Sequence, residues 1–205
     1  MAKRVKPVAL SVFTIGHSNR TLEEFVDLLR AHGIERVIDV RTIPRSHHNP
    51  QFNRESLSAS LRGRKIRYVH LKKLGGLRRP APDSINLGWR NASFRGYADY
   101  MQTPEFATAL ERAKRLATTH RAALMCAEAV PWRCHRLLIA DALLVRGVTV
   151  RHIVSRSRAN PHKLTPFAQV RADHITYPSD SSAREEPRPE PSEGVSSRRP
   201  KARGK

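Results

Sequence analysis

The chain has 205 residues, enough for one α/β core with extras and too few for two comfortable domains. Lys and Arg number 38 against 18 acids, a formal charge of +20, so the surface field draws anions. No apolar run approaches the length that spans a bilayer, and two cysteines do not make a disulfide framework. A membrane-spanning helix and a disulfide-stapled secreted scaffold are thereby excluded. With no secretory signal ahead of the first strand, a cytoplasmic protein with reduced thiols is expected.

The elements alternate along the chain. Residues 8–15 read as a strand, and residues 16–20 as a loop. Thr21 opens a helix through a capping box with Glu24, in which hydroxyl and carboxylate each satisfy an orphan backbone donor. Leu22, Phe25, Val26 and Leu29 share one face of that helix, and Gly33 stops it. A short apolar strand follows at 36–40, as suits a buried parallel strand. Residues 41–53 form a polar loop, Leu57 and Leu61 mark a short helix, and 66–71 is a third strand. After the turn Lys72-Lys73-Leu74-Gly75-Gly76, residues 77–95 read as irregular. Thr103 caps a helix with Pro104 at its first position, and Phe106, Leu110, Ala113 and Ala117 make its buried stripe. A fourth strand spans 122–126, a helix spans 133–146, and the fifth strand spans 148–154.

Such repeats predict an α/β fold with a mainly parallel sheet of about five strands flanked by helices, Rossmann-like or flavodoxin-like in its layering. The folded domain is expected over 8–177. Residues 178–205, almost all Ser, Pro, Arg, Glu and Gly, lack the apolar surface to offset ordering entropy and predict a disordered basic tail.

In parallel sheets, ligands bind at the carboxyl edge of the strands. The polar groups just past four of the five strands are His17, Ser18 and Asn19; Arg41; Lys72, Lys73, Gly75 and Gly76; and Cys126 with Glu128, followed by Cys134, His135 and Arg136 at the next helix. Arg41, Arg45, Lys72, Lys73, Arg136, two helix starts and a Gly-Gly backbone at one edge suit a phosphate or other anion. Cys134, expected in the first turn of its helix with basic neighbours, has the setting of a low-pKa thiol, or is packed under that turn. Cys126 is either an inert core thiol or its partner. Glu128 and His17 are candidate proton carriers, with ion-paired and hydrogen-bonded structural roles as the alternatives. A metal is disfavoured, because the spacing is not that of zinc pairs and neighbours Cys134 and His135 should diverge from one helical turn.

Thr14-Ile-Gly-His-Ser-Asn19, Val37-Ile-Asp-Val-Arg41 with Pro44, Leu74-Gly-Gly76, Phe94-Arg-Gly-Tyr-Ala-Asp-Tyr-Met101 and Cys126-Ala-Glu … Cys134-His-Arg136 resemble the domain of unknown function family 488, over roughly residues 12–168. The resemblance implies an α/β fold and makes the Cys-Ala-Glu … Cys-His-Arg pair its most characteristic feature, without implying a reaction. A fainter likeness to rhodaneses and Cys-dependent phosphatases is weakened by a longer loop and by Pro131, which has no amide to donate.

Three functions fit. The first is an enzyme acting on a phosphorylated or nucleotide-like anion through a Cys126, Glu128, Cys134 and His17 pocket, with Ser18, Asn19, Arg41, Lys72, Lys73, Gly75, Gly76, His135 and Arg136 holding the substrate. The second is a nucleic-acid-binding accessory module using the basic surface and tail. The third is a metal-binding α/β protein.

Overall fold

The computed structural model describes residues 10–179. Residues 8 and 9 of the expected first strand, and the basic tail from 180 onward, fall outside the described residues.

The first strand, β1 (Ser11–Gly16), is buried over Val12 to Gly16. The capping box forms as read. Thr21 Oγ1 accepts from the Glu24 amide at 3.1 Å, and Glu24 Oε2 accepts from the Thr21 amide at 2.8 Å. Helix α1 (Leu22–Ala31) buries Phe25, Val26, Leu28 and Leu29. It ends before Gly33, whose φ of 64° is left-handed backbone that glycine adopts without strain. Strand β2 (Arg36–Asp39) is wholly buried. Helix α2 (Arg54–Gly63) buries Leu57 and Leu61, and β3 (Arg67–His70) follows.

The stretch expected to be irregular gives way at its end, from residue 92, to a helix, α3 (Ala92–Tyr100), capped by Asn91 Oδ1. Helix α4 (Pro104–Thr119) and strand β4 (Ala122–Cys126) agree with the reading. Helix α5 (Arg136–Val145) starts later than expected, because Pro131–Arg133 forms a separate 3-10 turn and His135 is the N-cap. Strand β5 (Thr149–Ile153) completes the expected set. Beyond it lie β6 (Ala159–Pro161) and a small hairpin of β7 (Gln169–Arg171) and β8 (His174–Thr176).

The main sheet has six strands in the order β3-β2-β4-β1-β5-β6. All neighbours are parallel except β6, which runs antiparallel to β5. Alternation along the strands divides the core between the two faces. Phe13, Ile15, Val37, Ala123 and Met125 pack with α1 and α2. Val12, Ile38, Ala122, Leu124 and Cys126 pack with α3, α4 and α5. Strand β4 therefore lies between β1 and β2 and brings three strand ends, Gly16, Asp39 and Cys126, side by side.

Among the described residues, no helix is long and apolar enough to cross a membrane.

Candidate functional site

On the α1/α2 side of the carboxyl edge, Asp39 and Arg41 form a buried ion pair. Arg41 donates from Nε to Asp39 Oδ1 at 2.9 Å and from NH2 to Oδ2 at 2.6 Å, a two-pronged geometry that adds direction to charge. Tyr68 donates its hydroxyl to Asp39 Oδ2 at 2.7 Å. Burial, then the Asp39 charge and hydrogen bond, push the phenol well up from its ordinary value. Burial works against the Arg41 charge too, but Asp39 outweighs it and holds the guanidinium above its usual value.

The same guanidinium donates to the Phe52 carbonyl at 2.8 Å and, through NH1, approaches His17 Nε2 at 3.2 Å. Arginine only donates, so Nε2 accepts. The imidazole proton is then on Nδ1, which donates to the Ser18 carbonyl at 2.8 Å. The ring stacks on Phe52 with centroids 4.3 Å apart. Burial lowers its pKa from 6.5 to about 4, so His17 is neutral at pH 7. Both ring nitrogens are engaged, and the Arg41 charge is matched by Asp39.

Above this pair opens a cleft of about 500 Å³. Its walls come from the ends of β1 and β2 and from the loop after β4. His17, Ser18 and Arg41 form the inner part, with Arg45, Ser46 and Asn49 on one side and Glu128 and Arg133 on the other. The β4 loop is held against β1: the His17 amide donates to the Cys126 carbonyl at 3.0 Å, and the Ser18 amide to the Ala127 carbonyl at 2.8 Å. Gly16 is required by that approach, since a Cβ there would lie 1.8 Å from the Glu128 carbonyl oxygen.

The thiols are on the opposite face. Cys126 and Cys134 are both free and buried, and neither lines the cleft. The single expected pocket is thus two neighbouring constellations divided by the sheet edge and the β4 loop. Cys134 also differs from its expected place in the first helical turn; it precedes the N-cap, yet still accepts at 3.4 Å from the Arg136 amide. Arg136 Nε donates to the same sulfur at 3.4 Å, and its NH2 donates to the Glu128 carbonyl. At 1% exposure, Arg136 has no carboxylate within ion-pair distance among the described residues.

The hydrogen bond to Cys134, together with burial, pushes the Cys126 thiol far up. Burial opposes a Cys134 thiolate, but the Cys126 and His135 hydrogen bonds and the Arg136 charge outweigh it and hold that thiol well down. His135 Nε2 lies 2.9 Å from the Val40 carbonyl, which can only accept, so Nε2 carries the proton and Nδ1 faces the Cys134 sulfur at 3.7 Å. The expected divergence of Cys134 and His135 does not occur, because neither belongs to a regular turn of α5.

The remaining candidates lie elsewhere. Asn19 is exposed and lines a separate groove with Arg20 and Glu24. Lys72 and Lys73 are exposed on a 3-10 turn after the edge strand β3, where Lys73 pairs with Glu105 at 3.4 Å. Gly75 packs on Thr42, and Gly76 on the His135 ring.

Several participants escaped the sequence reading. Tyr68, Phe52 and Asn49 carry no local signal, although Asp39 inside an apolar run announces a buried carboxylate in need of a cation. A further buried chain was missed: Thr14 Oγ1 to His152 Nδ1 at 2.8 Å, His152 Nε2 to His162 Nδ1 at 3.0 Å, and His162 Nε2 to Asp141 at 2.8 Å.

A six-stranded, mostly parallel sheet flanked by helices on both faces makes the chain a layered α/β protein. Within that class, the chain belongs to the family described as domain of unknown function DUF488, whose model matches residues 21–143. The matched span covers Arg41 and the whole Cys126–Arg136 segment, and it begins after the His17 loop. No curated protein and no solved structure matches the chain.

Proposed function

We propose that the cleft binds a phosphorylated or nucleotide-like anion and that the chain acts on it as an enzyme, with Glu128 as the proton-transfer group. The observation that carries this reading is the pair Arg45 and Arg133. Both line the cleft, both are exposed, and neither has a carboxylate within ion-pair distance among the described residues. Guanidinium groups presented this way match phosphate oxygens in number and geometry. Arg41 serves differently: with Asp39 as its partner, it fixes His17 and the cleft floor.

A panel of phosphate esters and nucleotides tests the proposal by thermal shift and by phosphorus NMR. At least one compound is expected to raise the melting temperature of the wild type and not of Arg45→Ala/Arg133→Ala. Glu128→Gln is expected to keep binding and lower turnover by about two orders of magnitude or more. A panel without a shift, or a shift that survives removal of both arginines, rejects the anion site. Full turnover in Glu128→Gln rejects the proton-transfer role.

A further inference from the structure

Behind the cleft, three metal-ligating atoms converge: the sulfurs of Cys126 and Cys134 and a ring nitrogen of His135 all lie within 4.8 Å of one another. We infer that they form a three-ligand site for a thiophilic divalent cation, with Zn²⁺ the best match.

Four observations support this. The first is spacing. A tetrahedral zinc at its usual bond lengths places a sulfur and a nitrogen ligand about 3.6 Å apart, and Cys134 Sγ lies 3.7 Å from His135 Nδ1. The second is ring orientation. The Val40 carbonyl fixes the proton on Nε2, which turns the Nδ1 lone pair toward the sulfurs. Backbone carbonyls orient metal-binding histidines in this way. The third is compensation of the sulfur charge, since the Arg136 amide and guanidinium both donate to Cys134. The fourth is room. A Cβ on Gly76 would stand 2.9 Å from Nδ1 and crowd the approach to it. Sulfur and imidazole donors with no carboxylate among them select Zn²⁺ or Co²⁺ over Mg²⁺ or Ca²⁺. Three protein ligands leave one tetrahedral position for an exogenous molecule.

The test uses the full chain without an affinity tag, reduced and freed of metal by chelation. Titration with Co²⁺ is expected to raise a thiolate-to-cobalt charge-transfer band in the near ultraviolet, saturating at a single equivalent and bleached by Zn²⁺. Cys126→Ser, Cys134→Ser and His135→Gln should each lose the band or weaken binding by roughly tenfold or more. Since a buried variant can fail to fold, the wild type is also read directly. Zn²⁺ should slow alkylation of both cysteines, and chelator should restore the rate. No band in the wild type, the same band in the cysteine variants, or alkylation indifferent to Zn²⁺ overturns the site. Arg45→Ala should keep the band, since no thiol lines the cleft; losing it would mean that the band does not report the buried thiols and would overturn the assignment. This inference and the anion reading therefore fail separately.

Discussion

Asp39 is completely buried and accepts from the Arg41 amide, from Arg41 Nε and NH2, and from the Tyr68 hydroxyl. Removing either charge strands the other in a low-dielectric site, which costs about 3–5 kcal/mol. Asp39→Ala and Arg41→Ala should each lose that much in urea unfolding, and the double variant clearly less than the sum. Additive losses would mean the pair is not coupled. Gly16 makes a different demand. With the Glu128 carbonyl 1.8 Å from where a Cβ would be, Gly16→Ala has to displace the β4 loop. The expected loss is about 3 kcal/mol, measured the same way, with the cleft deformed as well. Unchanged stability would show that the loop moves freely. At this scale the sequence announced the chemistry-bearing groups but not their partners. Nothing local to Arg41 says that it faces Asp39 and not a ligand, because that depends on its rotamer and on Phe52 and Tyr68 arriving from elsewhere.

Elements with strong local signals were legible: the Thr21–Glu24 capping box, the Thr103-Pro104 start and the five parallel strands. Helix α3 was not, for a physical reason. Gly96 and the aromatic residues give it weak intrinsic propensity, and tertiary contacts hold it instead. Tyr97 and Tyr100 donate to the Leu74 and Lys73 carbonyls, and Gly96 lets the helix press on the backbone of Arg78 and Arg79. The short strand β6 escaped for a related reason, being only three residues long and defined by its pairing to β5. From β1 through β5 and the residue after β6 to α5 runs the Thr14–His152–His162–Asp141 chain, where burial lowers His152 from 6.5 to about 4, with His162 and Arg136 acting in the same direction and Asp141 opposing. The unfolded chain binds the His152 proton below about 6.5, whereas the fold resists it down to about 4. The stabilisation is whole above the upper value and lost as pH falls through this window, on the order of 3 kcal/mol for one such shift. Urea unfolding at several pH values across the window should show stability falling with acid. A flat profile would reject a neutral, buried His152.

For the whole molecule, the layering read from strand–helix alternation is the layering found, while the strand order was not legible. Sequence adjacency places β1 beside β2, but the sheet inserts β4 between them, and this insertion brings the Cys126 loop against Gly16 and Val40. Alternation along β2 and β4 puts the two constellations on opposite faces. Tyr68→Phe and Cys126→Ala should therefore change unfolding free energy additively, within about 0.5 kcal/mol; a larger coupling would mean that the two faces communicate. The inserted strand has one further consequence, in the order of synthesis. While the residues between β2 and β4 emerge from the ribosome, β1 and β2 exist without the strand that joins them, each with an unpaired inner edge. Such edges invite pairing with other chains. Until β4 arrives the nascent chain has a slot open in mid-sheet, so its vulnerability to misassembly is set by how quickly translation reaches Cys126.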